Sequence, residues 1–243
     1  MAHTHLIKEH TWSLETYGLS DIGLRRSNNE DVWGYKKDAL FCILADGMGG
    51  HVAGEVAAQL AVDTLCKKAA PASHFATPQE LALFLHEAIL DTNQDIYRKA
   101  LEDTSLRGMG TTLCCMQPYR DLLIYAHVGD SRIYRFRDGT LEQLTKDHTL
   151  KRSVNNIERS FLTKALGTSS YVRPSLASTP LHPNDLYFMC SDGLTDCVKN
   201  QEIINILSKE KDLIISSKQL ISLAKSKGSG DNITILMTKI ATK

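Results

Sequence analysis

The sequence predicts an α+β fold in four layers, an α/β/β/α sandwich with two central antiparallel sheets flanked by helices. Three observations lead there. Short β runs between Thr111 and Leu144 follow one another so closely that only antiparallel pairing can join them, because parallel neighbours need long crossovers. Several strand candidates are apolar along their whole length, so both of their faces must be covered. Two amphipathic helices precede these runs and two shorter ones come near the C-terminal end, which supplies an outer layer for each of two sheets packed face to face.

Thr11 to Leu19 alternates weakly and reads as a first strand, followed by a polar turn from Ser20 to Asp31. Val32 to Tyr35 begins a second strand, which leads into the unbroken apolar run Leu40 to Ala45. A helix is predicted from Ala53 to Lys68 with Ala57, Leu60, Ala61 and Leu65 along one face, and a longer one from Gln79 to Leu101, the two parted by Pro71 to Pro78. Thr111 to Met116, Leu122 to Val128, Arg132 to Phe136 and Leu141 to Leu144 then read as strands, with turn signals at Pro118 to Asp121, Gly129-Asp130 and Asp138-Gly139. Lys146 to Ser160 is polar and without period, and is predicted to be a mobile loop. Tyr171 to Thr179 and Leu186 to Cys190 add strands, Gln201 to Leu207 and Ser217 to Ser226 add helices, and Ile233 to Ile240 closes the chain with a strand. No repeat or low-complexity linker divides residues 1–243, so a single domain is expected.

Twenty-eight basic residues balance 28 acidic ones, and no cluster of Lys and Arg is long enough to attract a phosphate backbone or anionic lipid. Neither nucleic acid nor membrane is expected as a partner. Met1 to His10 contains no apolar core segment, and no stretch approaches the length of a membrane span, so a cytoplasmic monomer is expected. The six cysteines have no regular spacing and mostly fall inside apolar patterns, as reduced core residues do. Cys114 and Arg120 do stand in the Cys-x5-Arg spacing of a thiol-dependent phosphatase loop. The residues between them include no glycine or serine to build a cradle of backbone donors.

One pattern carries the chemistry. The run Leu40 to Ala45 ends in Asp46-Gly47-Met48-Gly49-Gly50, which holds a carboxylate at the rim of a core. An unpaired charge there is costly unless a cation or donor meets it, although Asp-Gly is also a common hairpin dipeptide. The arrangement recurs at Gly129-Asp130, at Ser191-Asp192-Gly193, and at Gly230-Asp231-Asn232 just before the last strand. In an antiparallel sandwich the end of one strand and the start of its neighbour share an edge, so these four aspartates can converge on one cleft. Asp138-Gly139, between Arg137 and Glu142, reads instead as a plain hairpin tip. Converging acids without histidine or cysteine make an oxygen-only site suited to Mg2+ or Mn2+. Two such ions sharing a carboxylate can activate a water and stabilise an in-line displacement on phosphorus. A cationic fork for the phosphoryl oxygens is offered by Arg25 and Arg26, beside Glu30 and Asp31.

The ordered segments GLRRSNNED, LADGMGGHVAGE, GMGTTL, AHVGDSRIYRFRDGTLEQLTKDH, LTKALG, LYFMCSDGLTD and GSGDNIT resemble the motif series of the metal-dependent protein serine/threonine phosphatases of type 2C, especially their compact bacterial branch. The resemblance covers about Ser20 to Met237. It implies hydrolysis of phosphoserine and phosphothreonine in proteins, with two core Mn2+ or Mg2+ ions and a weaker third. By resemblance, Asp46 bridges the two metals, the Gly47 carbonyl joins the first, and Asp192 and Asp231 bind the second. Glu30 and Asp31 resemble the acids that hold metal-bound waters, Arg26 the arginine that holds phosphate, and Asp130 a ligand of the third metal. Asn232 is expected to support Asp231. The partners implied are phosphorylated proteins made by a Ser/Thr kinase. Met48 stands where animal relatives carry a proposed general acid, which leaves a metal-bound water or His51 to protonate the leaving group. The segment 147–161 corresponds to a flap over the site and is short. Two alternatives stand beside this reading: a phosphoprotein-binding module of the same fold, and thiol chemistry through Cys114.

Overall fold

The computed structural model describes residues 12–49, 53–154 and 157–242. Its strands are β1 (Trp12–Asp21), β2 (Asp31–Lys36), β3 (Phe41–Met48), β4 (Gly110–Thr111), β5 (Leu113–Tyr119), β6 (Leu122–Val128) and β7 (Arg132–Arg137). The series continues with β8 (Thr140–Gln143), β9 (Thr149–Val154), β10 (Ile157–Leu162), β11 (Ser175–Pro180), β12 (Leu186–Cys190) and β13 (Ile233–Thr242). The helices are α1 (Ala53–Lys68), α2 (Pro78–Glu102), α3 (Asp192–Thr195), α4 (Asn200–Lys209) and α5 (Leu213–Ser226).

Alternation along the strands builds the layers. In β3, Phe41, Ile43 and Ala45 point outward into a core shared with Ala57, Ala61 and Leu65 of α1 and Leu85 and Ile89 of α2. Cys42 and Leu44 of the same strand point inward, where they meet Met116, Tyr187, Met189 and Leu236 between the sheets. On the far side Tyr134, Phe188, Ile235 and Met237 pack beneath Ile203 and Leu207 of α4 and Leu220 of α5. Three cores and two sheets make the four layers of an α/β/β/α sandwich, as the unbroken apolar runs require. One sheet has the order β11-β6-β5-β3-β2 with β4 on β3; the other is β1-β13-β12-β7-β8, and all the strand pairs are antiparallel.

Helix starts follow local chemistry. Thr77 caps α2 by accepting from the Glu80 N–H at 3.2 Å, the Glu80 carboxylate reaches back to the Ala76 N–H at 2.8 Å, and Pro78 occupies the first turn. Asp138 and Gly139 both adopt positive φ, at 49° and 76°, which is the plain hairpin turn expected of them.

Three expectations are corrected. Thr149–Val154 and Ile157–Leu162 pair antiparallel as β9 on β10 where a patternless loop was expected. Lys151, Arg152 and Ser153 stand in succession in β9, so the sequence shows no clean alternation there. The strand expected from Tyr171 begins only at Ser175, because side chains of α2 hold the preceding loop: Asn93 accepts from the Gly167 N–H at 2.8 Å and donates to the Ser169 carbonyl at 3.1 Å. The strand expected from Thr111 to Met116 is broken at Thr112 and runs on to Tyr119, past Pro118. Pro118 is tolerated because β3 pairs with β5 only as far as Met116, so the missing N–H leaves no ladder bond unmade on that side.

Candidate active site

The acids meet where the two sheets share an edge. A cleft of about 230 Å³ is lined by Arg26, Glu30, Asp46, Gly47, Met48, Gly49, Thr112, Asp130, Leu162, Asp192 and Asp231. Glu30 and Asp31 enter from the start of β2, Asp46 from β3 and Asp130 from the β6–β7 connection; Asp192 follows β12 and Asp231 precedes β13. Asp31 lies directly opposite Asp46 in the β2–β3 register. Glu30 and Asp31 are buried, the four remaining aspartates are half-buried, and Arg26 is exposed at the lip. Gly47 shows why a side chain is excluded from this floor, since a Cβ there would stand 2.2 Å from the Gly54 carbonyl oxygen at the start of α1.

Polar bonds fix the carboxylates. The Asp46 N–H donates to Thr112 Oγ1 at 3.0 Å and the Asp46 carbonyl accepts from the Thr112 N–H at 2.8 Å, which is the reason the strand breaks at Thr112. Thr112 Oγ1 also meets Ser131 Oγ at 2.7 Å, linking the Asp46 and Asp130 turns. Ser191 Oγ donates to Asp31 Oδ2 at 2.7 Å, while Asp31 Oδ1 is buried with no hydrogen-bond partner. Arg26 donates to Asp231 Oδ2 at 2.9 Å.

Asn232 meets Asp231 through its backbone and a second neighbour, the loop before β2, through its side chain. Its backbone N–H holds Asp231 Oδ1 at 2.8 Å, but its side chain donates to the Ile22 and Asn28 carbonyls and accepts from the Glu30 N–H, each at 2.9 Å. The amide therefore shapes the loop that carries Arg26 and Glu30.

Crowding sets the charges. Withdrawal from water, then Asp31, Asp192 and the other aspartates, raises the Asp46 carboxyl well above its usual range. Asp192 is pushed up to about 8 by its surroundings, then by Asp130 and Asp196, and Asp31 to about 6 chiefly by burial. Asp130 rises to about 6, again chiefly by burial. At neutral pH Asp46 and Asp192 stay fully ionised only against positive charge. Among the described residues no three acidic, histidine or cysteine side chains close into a cage able to hold an ion alone. Oxygen donors from different strands, a buried unpartnered carboxylate oxygen and a polar cleft fit hard divalent ions that keep water among their ligands.

Thiol chemistry finds no support. Cys114 is fully buried, donates to the Ser131 carbonyl at 3.1 Å, and has its thiol pKa driven far up by burial. Arg120 lies beyond the opposite end of β5, and six residues of extended chain span about 20 Å.

Comparison with known proteins follows the same lines. The family described as protein phosphatase 2C matches residues 25–227. The chain belongs to that family. Among relatives of this phosphatase 2C chain, a putative protein phosphatase 2C-type from Streptococcus pyogenes serotype M6 is 36% identical over 233 residues, covering 90% of this chain and 94% of the relative. The serine/threonine phosphatase Stp of Listeria welshimeri serovar 6b is 34% identical over 235 residues, covering 90% and 93%. A solved structure of the catalytic domain of serine threonine protein phosphatase PstP, in complex with two manganese ions, superposes with a TM-score of 0.81 at 33% identity, covering 95% of this chain and all of that one.

Several site residues escape a sequence reading of this phosphatase 2C chain. Thr112, Ser131 and Ser191 are single hydroxyls within or beside apolar strands, and Asp196, which adds negative charge around Asp192, follows it by one helical turn. Leu162 reaches the cleft as the last residue of β10, just past the segment read as a loop. His51 and Gly50 lie outside the described residues.

Proposed function

We propose that this chain is a metal-dependent protein serine/threonine phosphatase acting on phosphoserine and phosphothreonine side chains. The observation that carries the reading is the convergence of Asp46, Asp192 and Asp231, distant in sequence, on one polar cleft with Arg26 at its lip. Asp46, Asp192 and Asp231, with the Gly47 carbonyl, would hold two Mn2+ or Mg2+ ions, and Asp130 beside Asp192 a weaker third. When bound, these ions supply charge neutralisation and a lowered water pKa for displacement at phosphorus. Arg26 is placed to hold phosphoryl oxygens, and its tie to Asp231 limits where the guanidinium can point. Glu30 and Asp31 orient water at the rim through buried carboxylates. Asn232, through Ile22, Asn28 and Glu30, keeps this loop at a fixed distance from Asp231.

The substrates are phosphorylated proteins, made by an opposing Ser/Thr kinase. No helix among the described residues is long and apolar enough to cross a membrane. We place the activity in the cytoplasm, in a single domain acting as a monomer. The test is phosphate release from a phosphothreonine peptide in Mn2+, with and without chelator, alongside Asp192→Asn. Turnover that both changes abolish is expected; a folded, Mn2+-loaded protein that releases no phosphate would refute the proposal.

A further inference from the structure

Two adjacent residues outside the acid ring grip the Asp130 turn from both sides. On one side His148 holds the Gly129 peptide twice: its N–H donates to the Gly129 carbonyl at 2.9 Å, and its Nδ1 accepts from the Gly129 N–H at 3.1 Å. On the other side Asp147 receives Arg132 in a forked pair, Nε to Oδ1 at 3.0 Å and Nη2 to Oδ2 at 2.8 Å, and takes a third bond from Gln143 Nε2 at 2.9 Å. Asp130 sits between the two gripped positions.

The same dipeptide roots the β9–β10 hairpin. Thr149 opens β9 directly after His148, and the His148 carbonyl accepts from the Thr163 N–H at 2.8 Å, just past the end of β10. Leu162, one residue earlier, lines the cleft. The imidazole is itself fixed. Acceptance by Nδ1 assigns the ring proton to Nε2, which lies 2.9 Å from Ser175 Oγ on β11, with Lys164 Nζ more distant at 3.4 Å. The ring stacks on His127 of β6 at 4.5 Å and 11°, and His127 Nε2 meets the Lys146 carbonyl at 2.9 Å. Burial, His127 and Lys164 push His148 down to about 4, so the ring stays neutral and keeps its acceptor at neutral pH.

We propose that His148, with Asp147, is a positioning residue that joins the Asp130 turn and the root of the β9–β10 hairpin into one rigid joint, so that the hairpin's placement over a bound phosphopeptide and the placement of Asp130 are coupled. This rests on the phosphatase reading for its substrate, though not for its mechanics. On this proposal a peptide substrate extends from the cleft past Leu162 toward the hairpin, whereas a small aryl phosphate is held by Arg26 and by Asp46, Asp192 and Asp231 without it. Freeing the hairpin root therefore weakens peptide binding selectively and lets the Asp130 carboxylate drift.

The experiment uses full-length, Mn2+-loaded protein as wild type, His148→Ala, His148→Asn and Ser175→Ala. For His148→Ala the expected result is about tenfold faster amide exchange across the hairpin and at Gly129, and about tenfold higher KM for a phosphothreonine peptide. The KM for an aryl phosphate should stay within about twofold, while calorimetry should read weaker Mn2+ binding at the lowest-affinity site. His148→Asn should restore part of each change, because its amide oxygen can accept from the Gly129 N–H; Ser175→Ala should give a smaller version of the same pattern. Unchanged exchange and unchanged peptide KM in folded variants would overturn the proposal, as would equal losses on both substrates. If His148→Ala does not fold, the other two variants decide by the same comparison. If the wild type turns over neither substrate, the phosphatase reading falls, and exchange with Mn2+ calorimetry still decides whether the joint exists.

Discussion

Asp31 and Asp46 face one another across the β2–β3 pair, and one oxygen of Asp31 is buried with no hydrogen-bond partner. Two carboxylates in that relationship store repulsion that protons or cations relieve, which gives the protein a definite response to acid and to metal.

In chelator, stability should fall as pH rises from about 4 to about 8. Asp31, Asp46, Asp130 and Asp192 all have raised folded-state pKa values, Asp192 to about 8, so these four bind more protons in the native state than in the unfolded chain throughout that window and outnumber His127 and His148, whose lowered values act in the opposite sense. Thermal melts across pH 5 to 8 should show the decline, and saturating Mn2+ should remove it. A chelated protein whose Tm rises over this range would contradict the assignment of these acids.

Asp46→Asn and Asp192→Asn should each reduce Mn2+-supported turnover by at least about a thousandfold, the equivalent of several kcal/mol of lost charge stabilisation. In chelator both variants should melt no lower than wild type, because the amide removes a repelled charge. Mn2+ should raise their Tm far less than it raises that of wild type.

Asn232→Ala should lower kcat/KM by about 10- to 100-fold, since three backbone groups of the Arg26 loop lose their partners at a cost of about 1–3 kcal/mol. The loss should appear with small substrates as well as peptides, and inorganic phosphate should inhibit the variant more weakly.

Cys114→Ser should keep most of its metal-dependent activity, and thiol alkylation of the native enzyme should leave turnover intact, because Cys114 has no exposed surface.

Away from the site, Arg137 grips the fully buried Asp185 carboxylate through Nε at 2.5 Å and Nη2 at 2.6 Å, and Tyr187 adds a bond at 2.9 Å. Burial opposes ionisation of Asp185, but these bonds prevail and hold its pKa below the usual value. The stabilisation is therefore present above about pH 4 and is lost as pH falls through the folded-state value. Arg137→Ala should cost on the order of 3 kcal/mol at neutral pH, read by denaturant melts, and much less in acid.

Asp46, Asp130, Asp192 and Asp231 could be read from sequence because each stands where an apolar strand meets glycine or serine, a contrast that a single chain displays; Glu30 and Asp31, in a polar turn, drew their expected role from the family resemblance alone. Layering was legible for the same reason: Leu40 to Ala45 has no polar face, and the structure divides Phe41, Ile43 and Ala45 from Cys42 and Leu44 into separate cores. The β9–β10 pair was not legible, since Lys151, Arg152 and Ser153 interrupt any alternation in its first strand. Nor were the partners of Thr112, Ser191 and Asn232, because a hydroxyl or amide names a bond without naming its far end.

The acid ring is split between the sheets, with Asp31 and Asp46 carried by one and Asp192 and Asp231 by the other. What sets the gauge between the two halves is oil, not charge: Leu44, Met189 and Leu236 pack midway between the sheets. A shaved side chain there, Leu44→Ala for example, would let the jaws slide past each other, and the lesion would surface as slow chemistry in an otherwise intact enzyme.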